Sequence, residues 1–118
     1  ESFTPQAIAN TVWAYAKAGV EAPGLFRAVA EHLEGRPDGL ESFKPQEVAN
    51  TVWAYAKAGQ PSRPLFGICI RHLQANPGLV KAFNAPEVGM IRWAIAQPGV
   101  DGTSARGFEA LLAKHHPA

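Results

Sequence analysis

The chain holds a single cysteine, Cys69, in 118 residues. One thiol excludes an intramolecular disulfide and any multi-cysteine metal site, and it favours a reducing compartment over an oxidising one. No run of apolar residues approaches the ~18 needed to span a bilayer, so no membrane insertion is expected and the chain reads as soluble. Nor does a charged segment followed by an apolar one mark the N-terminus. A start at Glu1, without methionine, is what a fragment or a processed form would show, and targeting information would then lie outside it. Excess charge is lacking too. Eleven Lys and Arg stand against ten Asp and Glu, a net of +1, far from the basic profile that announces nucleic acid by itself. Any phosphate binding must therefore come from where the charges are placed. Catalytic patterns are also missing: no Gly-rich phosphate loop follows a strand, and no His-Glu-x-x-His occurs. Cys69 lies in an apolar run with no base beside it, where a thiol reads as inert core. These absences point away from an enzyme and away from a bound cofactor.

What the sequence does have is repetition. Residues 9–19 read Ala-Asn-Thr-Val-Trp-Ala-Tyr-Ala-Lys-Ala-Gly, and residues 49–59 read the same eleven in the same order, 40 positions on. An identical run at that spacing marks a structural repeat. At this length the chain has room for one folded core, and its 47% hydrophobic content argues against disorder.

Each unit reads as a helical hairpin. Thr4 is a candidate N-cap with Pro5 at the first helical position, and Ile8, Val12, Tyr15 and Ala16 keep helical spacing up to the stop at Gly19. This predicts a first helix over about residues 5–18. A second helix follows over about 24–33, carried by Leu25 or Phe26, Val29 and Leu33, and ends at the loop Gly35-Arg36-Pro37-Asp38-Gly39. The second unit repeats the plan, with a first helix from Pro45 to Gly59 and a second from Pro64 to Leu73, closed by Asn76-Pro77-Gly78. Its second helix is apolar almost all round, which predicts neighbours on more than one side. The third unit keeps Phe83, Val88 and Trp93 in register. Asn84 with Glu87 resembles a capping box, Pro98 should stop the helix early, and Phe108 lies 42 residues after Phe66. The extra two residues fall in a loop around Asp101-Gly102-Thr103-Ser104. Arg92 replaces the apolar Val12 and Val52, which favours an end of the array over drift within it. The expected fold is all-α: a right-handed α-solenoid of three helix-turn-helix repeats of about 40 residues, in the order 1–40, 41–80 and a degenerate, cap-like 81–118. Phe3, Phe43 and Phe83 are expected to pack where units meet.

The string from Phe43 to Gly59, Phe-Lys-Pro-Gln-Glu-Val-Ala-Asn-Thr-Val-Trp-Ala-Tyr-Ala-Lys-Ala-Gly, resembles the signature of octotricopeptide repeats, whose best-known motif runs PQELANTLWALAKLG. The resemblance covers units one and two and, weakly, unit three. It implies a non-enzymatic α-solenoid that binds single-stranded RNA in organellar gene expression, acting on transcript stability, processing or translation, in a chloroplast before a mitochondrion. A competing class is an accessory subunit that binds protein and braces a large organellar complex such as a ribosome or a photosynthetic assembly, which the near-neutral charge and abundant alanine suit equally.

On the first helix of each unit, Gln6, Asn10 and Lys17, and again Gln46, Asn50 and Lys57, lie close to one stripe opposite the apolar positions. Side-chain amides can address base edges and lysine can pair with phosphate. Because invariant residues cannot discriminate bases, the variable neighbours Ala7 and Glu47 join Gln6, Asn10, Lys17, Gln46, Asn50 and Lys57 as candidate RNA-binding residues. Other roles stay open. Asn10 and Asn50 would equally serve to tie one repeat's backbone to the next, and Lys17 and Lys57 would equally serve the helix dipole. Trp13, Trp53 and Trp93 are candidates for base stacking, but small alanines around them favour packing between helices in the core. Tyr15 and Tyr55 likewise read as core or interface. His32 and His72 sit near helix C-termini, where a structural role is expected, and His115-His116 reads as a solvated end. No metal ligand set emerges.

Overall fold

The computed structural model describes residues 4–35 and 40–117. The loop expected over 36–39 and the packing expected of Phe3 lie outside the described residues. Those described form seven helices and no strand: α1 Pro5–Ala18, α2 Pro23–Glu34, α3 Pro45–Lys57, α4 Arg63–Ala75, α5 Pro77–Ala82, α6 Ala85–Ile95 and α7 Gly102–His115.

Local chemistry sets most of the boundaries. Thr4 Oγ1 accepts from Ala7 N at 3.1 Å, and Pro5 opens α1 where no N–H is required. Gly19 and Gly59 adopt φ of 73° and 71°, a left-handed turn that suits glycine, and the next residues donate back to Tyr15 O and Tyr55 O. α6 starts on the expected capping box: Asn84 Oδ1 accepts from Glu87 N at 2.8 Å, and Glu87 Oε1 accepts from Asn84 N at 2.9 Å. It stops at Ile95, three residues before Pro98.

Two segments differ from expectation. The one around Asp101 is the start of a helix, and the enlarged connection lies before it, over residues 96–101. Asp101 caps α7 by accepting from Ser104 N at 2.9 Å and from Ser104 Oγ at 2.7 Å, so Gly102, Thr103 and Ser104 form the first turn. The residues after Asn76 are likewise helical: α5 runs for six residues across the expected boundary at residue 80, with Val80 buried.

The helices stack in two layers. α1 packs on α3 and α3 on α6; α2 packs on α4 and α4 on α7, while α5 touches α3, α4 and α7. Between the layers lies one core. The first layer contributes Ile8, Val12, Val48, Val52, Val88 and Ile91, and the second Phe26, Leu33, Leu65, Phe66, Leu73, Phe108 and Leu112. Phe43 and Phe83 are buried ahead of α3 and α6. α4 is the central helix of its layer, which accounts for its nearly continuous apolar surface; a Cβ on Gly107 of α7 would come within 2.8 Å of Ile70 Cδ1. Within the first layer Ala9, Ala49, Ala54 and Ala94 are fully buried, which lets the helices approach closely. The radius of gyration is 13.0 Å, close to the ~13 Å of a compact chain this long.

Candidate nucleic-acid interface

A helix of the α1 type has four distinct faces, and counting at 100° per residue separates them. Ile8 and Val12 face the core. Ala9 and Ala16, also buried, form one edge, and Thr11, Ala14 and Ala18 form the opposite edge. Gln6, Asn10, Trp13 and Lys17 fall at i, i+4, i+7 and i+11, on the side away from the core. The same positions in α3 are Gln46, Asn50, Trp53 and Lys57. In α6 they are Pro86, Met90 and Trp93, with Gln97 just past the helix end.

Stacking α1, α3 and α6 side by side turns these three stripes into one surface, and its spine is aromatic. The Trp13 and Trp53 rings lie 6.4 Å apart at 39°, and the Trp53 and Trp93 rings 6.0 Å apart at 37°. This corrects the expectation that the tryptophans are core. They do pack between helices, but on one another and at the surface: Trp13 and Trp53 are half-buried and Trp93 is 40% exposed. Trp53, flanked on both sides, also rests partly on the core. The signal was present in the sequence. Trp13 is seven residues after Gln6 and four before Lys17, so the spacing that assembles the polar stripe puts tryptophan on it.

Both lysines of the stripe reach over these rings. Lys17 Nζ sits 4.7 Å from the Trp13 centroid, and Lys57 Nζ sits 5.8 Å from the centroid of Trp93 on the next helix. Both distances are within cation–π range. Gln6, Asn10, Gln46 and Lys57 are exposed beside Lys17, and Asn50 is half-buried. On the α6 stripe, Gln97 Nε2 donates to Trp93 O at 2.9 Å, so that stripe ends in a side chain tied to its own helix.

Ala7 and Glu47 stand apart from this surface. One residue on from Gln6 and Gln46, they lie a quarter turn round, on the edge with Thr11 and Thr51. Ala7 O accepts from Thr11 Oγ1 at 2.7 Å, and Glu47 Oε1 accepts from Lys44 N at 2.8 Å, capping α3. The structure thus brings six of the eight candidates together with three tryptophans and leaves two beside them.

Other polar and reactive groups lie within the packed helices. Cys69 is buried in α4, and burial pushes its thiol up to about 12, so it stays protonated. The two tyrosines part company: Tyr55 is buried and its hydroxyl donates to Phe26 O at 2.6 Å, with the Phe26 ring edge-on at 4.9 Å, whereas Tyr15 is exposed. Burial raises the Tyr55 hydroxyl well above the usual tyrosine range. His32 and His72 lie half-buried in the last turns of α2 and α4. His116 does not belong to a solvated end, however. His116 Nε2 donates to Val80 O at 2.6 Å, its ring lies near Phe83, and Arg92 Nη2 donates to His116 O at 2.9 Å. Arg92 also grips Glu109 through two bonds of 3.1 and 3.2 Å. Among the described residues no cluster of three or more His, Cys, Asp or Glu is placed to hold a metal, and no helix is long and apolar enough to cross a membrane. Comparisons with protein families, with curated proteins and with solved structures find no match to this chain.

Proposed function

We propose that the three hairpins are units of a repeat solenoid that binds single-stranded RNA without chemical turnover, in the gene-expression apparatus of an organelle, a chloroplast before a mitochondrion. The observation that carries this reading is the ladder of three part-exposed tryptophans with amides on one flank and lysines over the rings. Non-specific single-strand binders combine these elements: aromatic faces that stack bases, at about 1 to 3 kcal/mol per base, and cations that meet the backbone. The resemblance of residues 43–59 to octotricopeptide repeats supports the same reading and supplies the organellar setting. Asn10 and Asn50 flank the ladder as base-edge partners, with Gln6 and Gln46 above them.

The test is fluorescence anisotropy with a labelled single-stranded oligoribonucleotide across a salt series. Binding should weaken steeply with salt, and Lys17→Ala with Lys57→Ala should reduce the log–log slope by about 1.4, at ~0.7 for each phosphate no longer neutralised. Trp93→Leu, at an open position, should weaken binding by about 5- to 150-fold, the equivalent of one stacked base. Undetectable binding at low salt, or a Trp93→Leu variant that binds as tightly as the parent, refutes the reading. A second reading is a protein-binding brace within a large organellar assembly. It is favoured by the exposed edge of α1 around Tyr15, and stable co-purification with protein in the absence of RNA binding would select it.

A further inference from the structure

The eleven residues common to α1 and α3 meet different surroundings. In α3, Thr51, Ala54 and Tyr55 are buried, at 1%, 0% and 1% exposed, on the edge that faces the preceding hairpin. In α1 the same edge is bare: Thr11 and Ala14 are exposed, and Tyr15 is 39% exposed. Identical side chains on an identical helix present the same shape and the same hydrogen-bonding groups. What covers that shape in α3 is visible. It is a helical hairpin with alanines on the abutting edge of its first helix, Ala9 and Ala16, and in the first turn of its second helix a phenylalanine, Phe26, whose ring and carbonyl receive the tyrosine.

We infer that the Thr11, Ala14, Tyr15 and Ala18 edge of α1 is a docking surface for one more helical hairpin of this kind: alanine-edged on its first helix, with a phenylalanine in the first turn of its second helix whose backbone carbonyl accepts from the Tyr15 hydroxyl. The inference rests on the solenoid reading and is independent of RNA binding. A second copy of this chain is not the occupant. The face it would have to offer is the outer side of α6 and α7, where Arg92, bonded to Glu109, stands part-exposed at the position that the fully buried Val12 and Val52 hold in α1 and α3. Covering that side with an apolar edge would take the ion pair out of water, a cost its attraction does not reliably offset. The two ends of the stack therefore differ, one open and apolar, the other closed by charge.

The test extends the full chain by a duplicate of residues 1–40 placed ahead of Glu1, and follows urea unfolding by tryptophan fluorescence. The extended chain should unfold in one transition, with a steeper denaturant dependence than the parent. Tyr15→Phe should leave the parent's midpoint unchanged and lower that of the extended chain by as much as Tyr55→Phe lowers the parent's. If the extended chain unfolds in two transitions, or Tyr15→Phe is silent in it while Tyr55→Phe is costly in the parent, the docking inference fails alone. If Tyr55→Phe is itself silent, the stacking of units one and two by this bond fails with it. Sedimentation of the unextended chain is the remaining arm: a monomer supports the inference, and self-association abolished by Tyr15→Arg overturns it in favour of a second copy.

Discussion

Removing one oxygen atom tests how α3 is joined to α2. The Tyr55 hydroxyl is the only part of that side chain that reaches α2 by a hydrogen bond, a 2.6 Å bond to Phe26 O across 29 residues of sequence. Tyr55→Phe deletes this bond and keeps the ring, its edge-on packing with Phe26 and nearly all the buried area. A buried neutral hydrogen bond contributes about 0.5 to 1.5 kcal/mol net, and a helical carbonyl that keeps a main-chain partner is not left stranded, so the loss should be close to 1 kcal/mol. For a domain this size that is a fall in Tm of about 4 °C. Tyr55→Ala removes the ring as well and opens a cavity under the α1–α3 junction; its cost should rise to about 3 to 5 kcal/mol. Tyr15→Phe, at a residue identical in sequence context but 39% exposed, should change stability by less than about 0.5 kcal/mol. Urea unfolding at constant slope measures all three. Equal effects of Tyr15→Phe and Tyr55→Phe would refute the reasoning, because they would show that sequence context, and not the packing against α2, sets the contribution of this residue.

Two further predictions concern groups away from the stripe. Cys69 should not react with a thiol reagent in the native protein at pH 8, since burial holds its proton, and should react at one equivalent in denaturant; rapid native labelling would show that α4 is not enclosed. Asp101 is held below the ordinary carboxylate value chiefly by the Ser104 hydroxyl, then by Ser104 N. A lowered folded value means that its contribution is complete above the unfolded carboxylate range and is lost as pH falls through the folded value. Acid unfolding of Ser104→Ala should therefore show a weaker pH dependence below about pH 4 than the parent, and an unchanged profile would show that the cap does not hold the start of α7.

Features that depend on a few neighbouring residues were legible in the sequence. Thr4 with Pro5, the glycines at 19 and 59, and the Asn84–Glu87 box each define a helix end by local hydrogen bonding, and each does so in the structure. Where local signals have two meanings, composition misleads. Asp-Gly-Thr-Ser has the residues of a turn, and it becomes a helix start because Asp101 caps α7 through the N–H and hydroxyl of the buried Ser104. Pro77-Gly78 reads as a breaker, yet proline in the first turn of a short helix costs nothing and Val80 gains burial. Hydrophobicity assigns the tryptophans to the interior, although helical counting alone puts them on the stripe. The divergence of Tyr15 and Tyr55 is different in kind, because eleven identical residues cannot encode unequal neighbours; only the assembled stack distinguishes them. The link from His116 to Val80, 36 residues apart, is invisible to any local reading for the same reason.

The alanines between the first helices have a geometric consequence. In that layer Ala9, Ala49, Ala54 and Ala94 have no exposed surface, whereas in the other layer Phe66 meets Phe108. A side chain larger than methyl at Ala49, which has no exposed surface, would push α3 away from its neighbours, and the tryptophan rings that now lie 6.4 and 6.0 Å apart would separate with it.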